Sequence, residues 1–99
     1  MTRKVDLSIE GIPVELDYFV QGFIDHTVSG IIESLEGTGE IGDLIVSIQG
    51  DEVKIELNGS VVPLNPFVNR LVKNTITGMV SSLKGVGSTN GMSLHIERW

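Results

Sequence analysis

Two histidines, thirteen carboxylates and a glycine run are the parts of this 99-residue chain whose chemistry invites a function. His26 stands between Asp25 and Thr27 on the polar side of a helical segment. His95 takes an outward position on the last strand, so the two imidazoles are expected on opposite faces of a sheet. A zinc centre needs three or four converging ligands, and this placement brings none together. The carboxylate pairs Asp6/Glu10 and Glu52/Glu56 sit at same-face strand spacing. General acid–base work needs a pocket that moves one pKa of each pair, and an open strand face supplies none. Gly37-Thr38-Gly39-Glu40-Ile41-Gly42 spells G-x-G-x-x-G. A dinucleotide site needs a strand before that motif and a helix after it. Here a helix precedes it, and its negative C-terminal end repels phosphate. The absence of cysteine removes disulfides, thiolate nucleophiles and cysteine-type metal sites. No catalytic residue, metal or cofactor is assigned.

Formal charge is −6. A surface of that sign repels phosphate backbones and anionic lipid, so neither nucleic acid nor membrane is expected as a partner. The apolar stretches are broken every few residues, too often for a membrane-spanning helix. The start, Met1-Thr2-Arg3-Lys4, has no apolar run behind its bases, and a cytoplasmic location is expected. The charge is unevenly shared. Residues 1–49 hold nine acids and two bases, a balance of −7; residues 50–99 hold four acids and five bases, a balance of +1.

Those residues must be positioned by a duplicated unit. Shifted by 48 positions, 5–51 aligns with 53–99 without a gap. Gly11 falls on Gly59, Phe19-Val20 on Phe67-Val68, Gly30 on Gly78 and Ser34-Leu35 on Ser82-Leu83. Each unit reads as strand, helix, strand. Val5, Leu7 and Ile9 alternate with Asp6, Ser8 and Glu10, the period of a half-buried strand. Asp17 and Asn65-Pro66 are helix starts. Val20, Phe23, Ile24, Thr27, Val28, Ile31 and Leu35 then follow helical spacing, as do Val68, Leu71, Val72, Thr75, Ile76, Met79 and Leu83. Gly37 and Gly85 read as C-terminal stops, and Gln49-Gly50-Asp51-Glu52 as a tight hairpin. The whole is a single α+β domain. It is expected to be a ferredoxin-like βαββαβ sandwich, an antiparallel sheet in order 4-1-3-2 with two helices on one face. The alternative makes short strands of 14–16 and 61–63, giving ββαβ twice, with Pro13 and Pro63 confining them to edges.

Gly30 and Gly78 fall inside the helices, where each costs about 1 kcal/mol against alanine. Close packing against the other helix or the sheet is their expected reason. Between equivalent positions Asp25 becomes Lys73, and the two are expected to face one another near the pseudo-twofold axis or to steer a second subunit. Asp25, Gly30, Lys73 and Gly78 are therefore the candidate interface residues.

Among ferredoxin-like proteins, acylphosphatases need an Arg and an Asn around the first β–α loop, and Gly11–Leu16 contains no base. Gly11-Ile12-Pro13 distantly resembles the turn of amino-acid-binding ACT modules. That resemblance implies an effector site there, with Gly11, Ile12, Pro13 and His95 as candidate ligand-binding residues for an unidentified small molecule. The expected function is a non-enzymatic interaction or scaffold module, self-associating as a homodimer through its sheet face or a helix face. The alternatives are the ACT-like regulatory domain, and a dimeric α+β barrel enzyme enclosing His95 and neighbouring carboxylates between two sheets.

Overall fold

The structure is a computed structural model and describes residues 2–35, 40–83 and 85–99. The elements run β1 Arg3–Ile9, β2 Ile12–Val14, α1 Tyr18–Glu33, β3 Asp43–Gln49, β4 Glu52–Leu57, β5 Ser60–Val62, α2 Pro66–Ser81 and β6 Met92–Arg98. Both halves follow the order ββαβ, and β5 and α2 follow β2 and α1 at a spacing of 48.

The short strands exist because two tight turns create them. Glu10-Gly11 has φ of 54° and 79°, and Asn58-Gly59 has φ of 50° and 87°. Positive φ at both central residues is the hairpin geometry that matches strand twist. β2 thereby pairs antiparallel with β1, and β5 with β4. Pro13 sits in β2 at the sheet edge, where its missing N–H is not needed.

The sheet is six-stranded, in order β2-β1-β6-β3-β4-β5, with every neighbouring pair antiparallel. This corrects the ferredoxin-like expectation. In order 4-1-3-2 the first strand of each unit has both edges occupied by long strands. Here β2 and β5 take one edge of β1 and one of β4. The final strands of the units, β3 and β6, therefore become the central pair, each inserted into the other unit's half of the sheet.

One sheet face carries Val5, Leu7, Leu44, Val46, Ile48, Val53, Ile55, Leu57, Met92, Leu94 and Ile96, all buried. Both helices cover it, through Ile24, Val28 and Ile32 of α1 and Val72, Ile76 and Val80 of α2. Asp17 and Asn65 cap the helices, each side-chain oxygen accepting from a backbone N–H at 2.8 Å. The helices end at Ser34 and Ser82, short of the glycine stops; Gly37 lies outside the described residues. No helix among the described residues is long and apolar enough to cross a membrane.

The inward faces are rotated from the spacing read above. Phe23 and Leu71 are exposed, whereas Asp25 and Ser29 are buried. Asp25 is reached by Arg3 Nε at 2.8 Å, and by Arg98 through Nε at 3.1 Å and Nη2 at 2.8 Å. Ser29 Oγ donates to the same carboxylate at 3.2 Å, and Arg98 donates to Ser29. A charge leaves water only when paired and hydrogen-bonded, and two guanidinium groups from β1 and β6 meet that condition. Contrary to the expectation above, Asp25 and Lys73 do not face each other; Lys73 pairs with Asp51 at 2.6 Å.

Those two ion pairs occupy equivalent places with reversed sign. Residues 3 and 25 fall on 51 and 73, so Arg3–Asp25 in one unit is Asp51–Lys73 in the other. Lys73 holds the Asp51 carboxyl below its ordinary value, first by the hydrogen bond and then by charge attraction, with desolvation opposing weakly. A depressed folded-state pKa gives a contribution that is complete above the unfolded value and is lost as pH falls through the folded one. Carboxyl-detected NMR across the acid range should show the Asp51 midpoint rising in Lys73→Ala. An unmoved midpoint would mean that the pair is not formed in solution.

Candidate functional site

Gly11, Ile12 and Pro13 lie at the β1–β2 turn and along β2, the sheet's first edge, and all are exposed. They border a shallow cavity of about 470 Å³ completed by Gly85, Val86, Gly87 and Ser88. Among the described residues that line it, the charged ones are Glu10 and Glu15. An amino-acid carboxylate finds no cationic partner among those described residues. His95 is on β6, separated from β2 by the whole of β1. The residues expected to share an effector site are not brought together.

Gly30 and Gly78 are exposed, and a Cβ built at either meets nothing within 4 Å. Close packing inside the chain is thus not their reason. They lie on helix surfaces that are unusually apolar. Tyr18, Phe19 and Phe23 of α1 are 84%, 74% and 53% exposed. Phe67 and Leu71 of α2, the equivalents of Phe19 and Phe23, are 62% and 53% exposed. The i, i+4 spacing stacks each pair on one face of its helix, and the Phe19 and Phe23 rings lie 6.3 Å apart.

The Phe19–Phe23 ridge has a hollow on each side. One, of about 260 Å³, lies between the helices and is closed by Ile24, Met79 and Leu83. It joins the first half of α1 to the last turn of α2, so the helices run antiparallel. The other, of about 590 Å³, is lined by Arg3, Tyr18, Gly22, His26 and Thr27. Sequence spacing assigned Phe23 and Leu71 to the core. In α1 the exposure of Phe23 goes with the inward turn of Asp25 to two arginines; Leu71 is equally exposed although its helix buries no charge. The exposed charge inside α1 is Glu33, and that of α2 is Arg70.

The opposite sheet face is open and polar. His95 Nε2 lies 2.6 Å from Asp43 Oδ1 and 3.8 Å from Glu97 Oε1. His95 and Glu97 are two apart on β6, and Asp43 of β3 stands directly opposite Glu97. This cluster was invisible in the sequence, because order 4-1-3-2 sets the strands of Asp43 and His95 at opposite edges.

Comparison with known proteins finds no match among family models, curated proteins or solved structures.

Proposed function

We propose that this chain is a non-enzymatic interaction module that self-associates, pairing its helix layer with that of a second copy. The observation that carries the reading is the exposure of Phe19 and Phe23 on α1 together with their equivalents Phe67 and Leu71 on α2. With Tyr18 these side chains leave on the order of 500 Å² of apolar surface in water, the size of a functional patch on a monomer. Buried with a polar rim, such a patch approaches the roughly 800 Å² per partner of a stable dimer.

A second copy fits better than an unrelated partner for two reasons. The patch repeats across the pseudo-twofold, so a second copy offers each helix an apolar pair of the same kind. Its charges also differ in sign between the helices. A twofold axis along the helix direction sets α1 of one copy over α2 of the other, antiparallel. The Glu33 end of one helix then meets the Arg70 end of its partner. Exposed Gly30 and Gly78 permit close approach of backbones in that layer. The sheet face, where Asp6, Asp43, Glu52, Glu56 and Glu97 are exposed or half-exposed, fits self-association less well. A cysteine-free chain suits a reducing, cytoplasmic compartment.

Sedimentation velocity on the wild type, Phe23→Glu and Leu71→Glu tests the reading. A wild-type dimer is expected, with both variants monomeric and their far-UV spectra unchanged, since neither side chain is core. Arg70→Glu should weaken the dimer most at low salt. A wild-type monomer at about 100 μM protein, the micromolar regime of weak interfaces, would overturn the proposal. So would variants that remain dimeric.

A further inference from the structure

We propose that Asp43, His95 and Glu97 form a binding site for a divalent transition-metal cation on the open face of the sheet. One ligand atom from each residue lies within 4.8 Å of the other two. The set of one imidazole and two carboxylates suits zinc and its first-row neighbours more than calcium or magnesium, which take oxygen alone.

Two features set this trio apart from ordinary surface charge. First, Asp43 and Glu97 are directly opposite on neighbouring strands, an arrangement that is destabilising for like charges. The neighbouring bases have other carboxylate partners. On the same face Lys4, which stands opposite Glu97 on β1, pairs with Asp6 at 3.8 Å, and Lys54 pairs with Glu56 at 3.2 Å. Arg3 and Arg98 belong to the other, helix-covered face, where they pair with Asp25. Among the described residues His95 is the ion-pair partner that both carboxylates share, and a cation at that point answers both. Second, the trio is built on rigid backbone. β3 and β6 are the two central strands, each paired on both sides. The entry to β3 is also pinned, because Asn58 Oδ1 accepts from the backbone N–H of Gly42 and of Asp43 at 2.9 and 2.8 Å.

The required adjustment is small. Bonds of 2.0–2.1 Å in a tetrahedral site place ligand atoms about 3.3 Å apart. Asp43 would back away from 2.6 Å and Glu97 close in from 3.8 Å, each by side-chain rotation of under about 1 Å. Asp6 stands opposite His95 on β1 and on the same face, one strand spacing away, where it pairs with Lys4. The three ligands are half-exposed, so the remaining positions belong to water or to a partner's donor. The cation would tie the first unit's β3 to the second unit's β6, locking the exchanged strands together.

Isothermal titration of tag-free protein with Zn²⁺, and the visible absorption of Co²⁺ in its place, test the site. One cation per chain is expected, with micromolar affinity and a higher melting temperature. His95→Ala should weaken binding by about tenfold or more, and Asp43→Asn and Glu97→Gln each by several-fold. His26→Ala, on the helix layer, should leave it unchanged. Binding should also persist in Phe23→Glu, which separates this site from the self-association surface. Failure of either ion to bind at millimolar concentration would overturn the proposal. Affinity that survives His95→Ala, or disappears with His26→Ala, would do the same.

Discussion

Asp25→Ala should cost this fold about 3–5 kcal/mol, the range for removing one partner of a buried ion pair. The Asp25 side chain is completely buried, while those of Arg3 and Arg98 are 19% and 15% exposed. Without the carboxylate, two guanidinium groups face each other across a cavity and Ser29 loses its acceptor. Asp25→Asn keeps the shape and some of the hydrogen bonds but not the charge, so it should fall between the wild type and Asp25→Ala. Replacing the whole network with apolar residues of similar volume, Arg3→Met, Asp25→Leu and Arg98→Met together, should restore much of the loss. Urea unfolding monitored by circular dichroism measures all three. A cost below about 1 kcal/mol for Asp25→Ala would mean that both arginines escape to water, as surface pairs do. The sign-reversed pair in the other unit gives the contrast. Asp51 is exposed, so Lys73→Ala should barely move the melting curve.

Asn58→Ala should cost about 1–3 kcal/mol, from three exposed hydrogen bonds of modest net worth and the strain of a left-handed alanine. Asn58 holds φ at 50° beside Gly59, a left-handed conformation that asparagine tolerates and alanine resists. Its Oδ1 accepts from Gly42 and Asp43, and its Nδ2 donates to the Glu40 carbonyl at 2.7 Å. One side chain thus ties the β4–β5 turn to the start of β3. Asn58→Gly separates the two effects, because it relieves the backbone while losing the three side-chain bonds. It should recover part of the loss. Identical unfolding midpoints for all three proteins would show that water replaces those bonds at no cost. The equivalent residue, Glu10, keeps the turn and the backbone bond to Gly91 at 2.9 Å, but among the described residues its side chain makes no equivalent bridge.

Much of the fold was readable because its determinants are local. Alternation along Val5–Ile9 and Met92–Ile96 depends only on the period of an extended chain. Asp17 and Asn65-Pro66 act within one helical turn, and both cap as expected. The Gln49–Glu52 hairpin closes over two residues, with Gly50 at φ 59°. The strand order was readable in principle. Asn58-Gly59 is a strong hairpin signal, and a β5 paired to β4 leaves β4 one free edge. That excludes an arrangement needing both edges of β4. The two prolines had weighed against those short strands, yet Pro13 is tolerated at an edge and Pro63 falls beyond β5.

The sequence by itself determined which side of each strand is apolar, where the helices begin, and that one unit is repeated. Each follows from interactions within a few residues. Only the tertiary structure decided which faces meet. Phe23 read as core, but it faces water while Asp25 is buried beneath Arg3 and Arg98, and those arginines lie 22 and 73 positions away in the chain. Asp43 and His95 are 52 residues apart and converge because β3 and β6 are neighbours at the centre of the sheet. Local periodicity sets the direction of a side chain, and strand order sets its neighbour. Strand order depends on the competition of all six strands for a limited number of edges, which no local stretch of sequence contains.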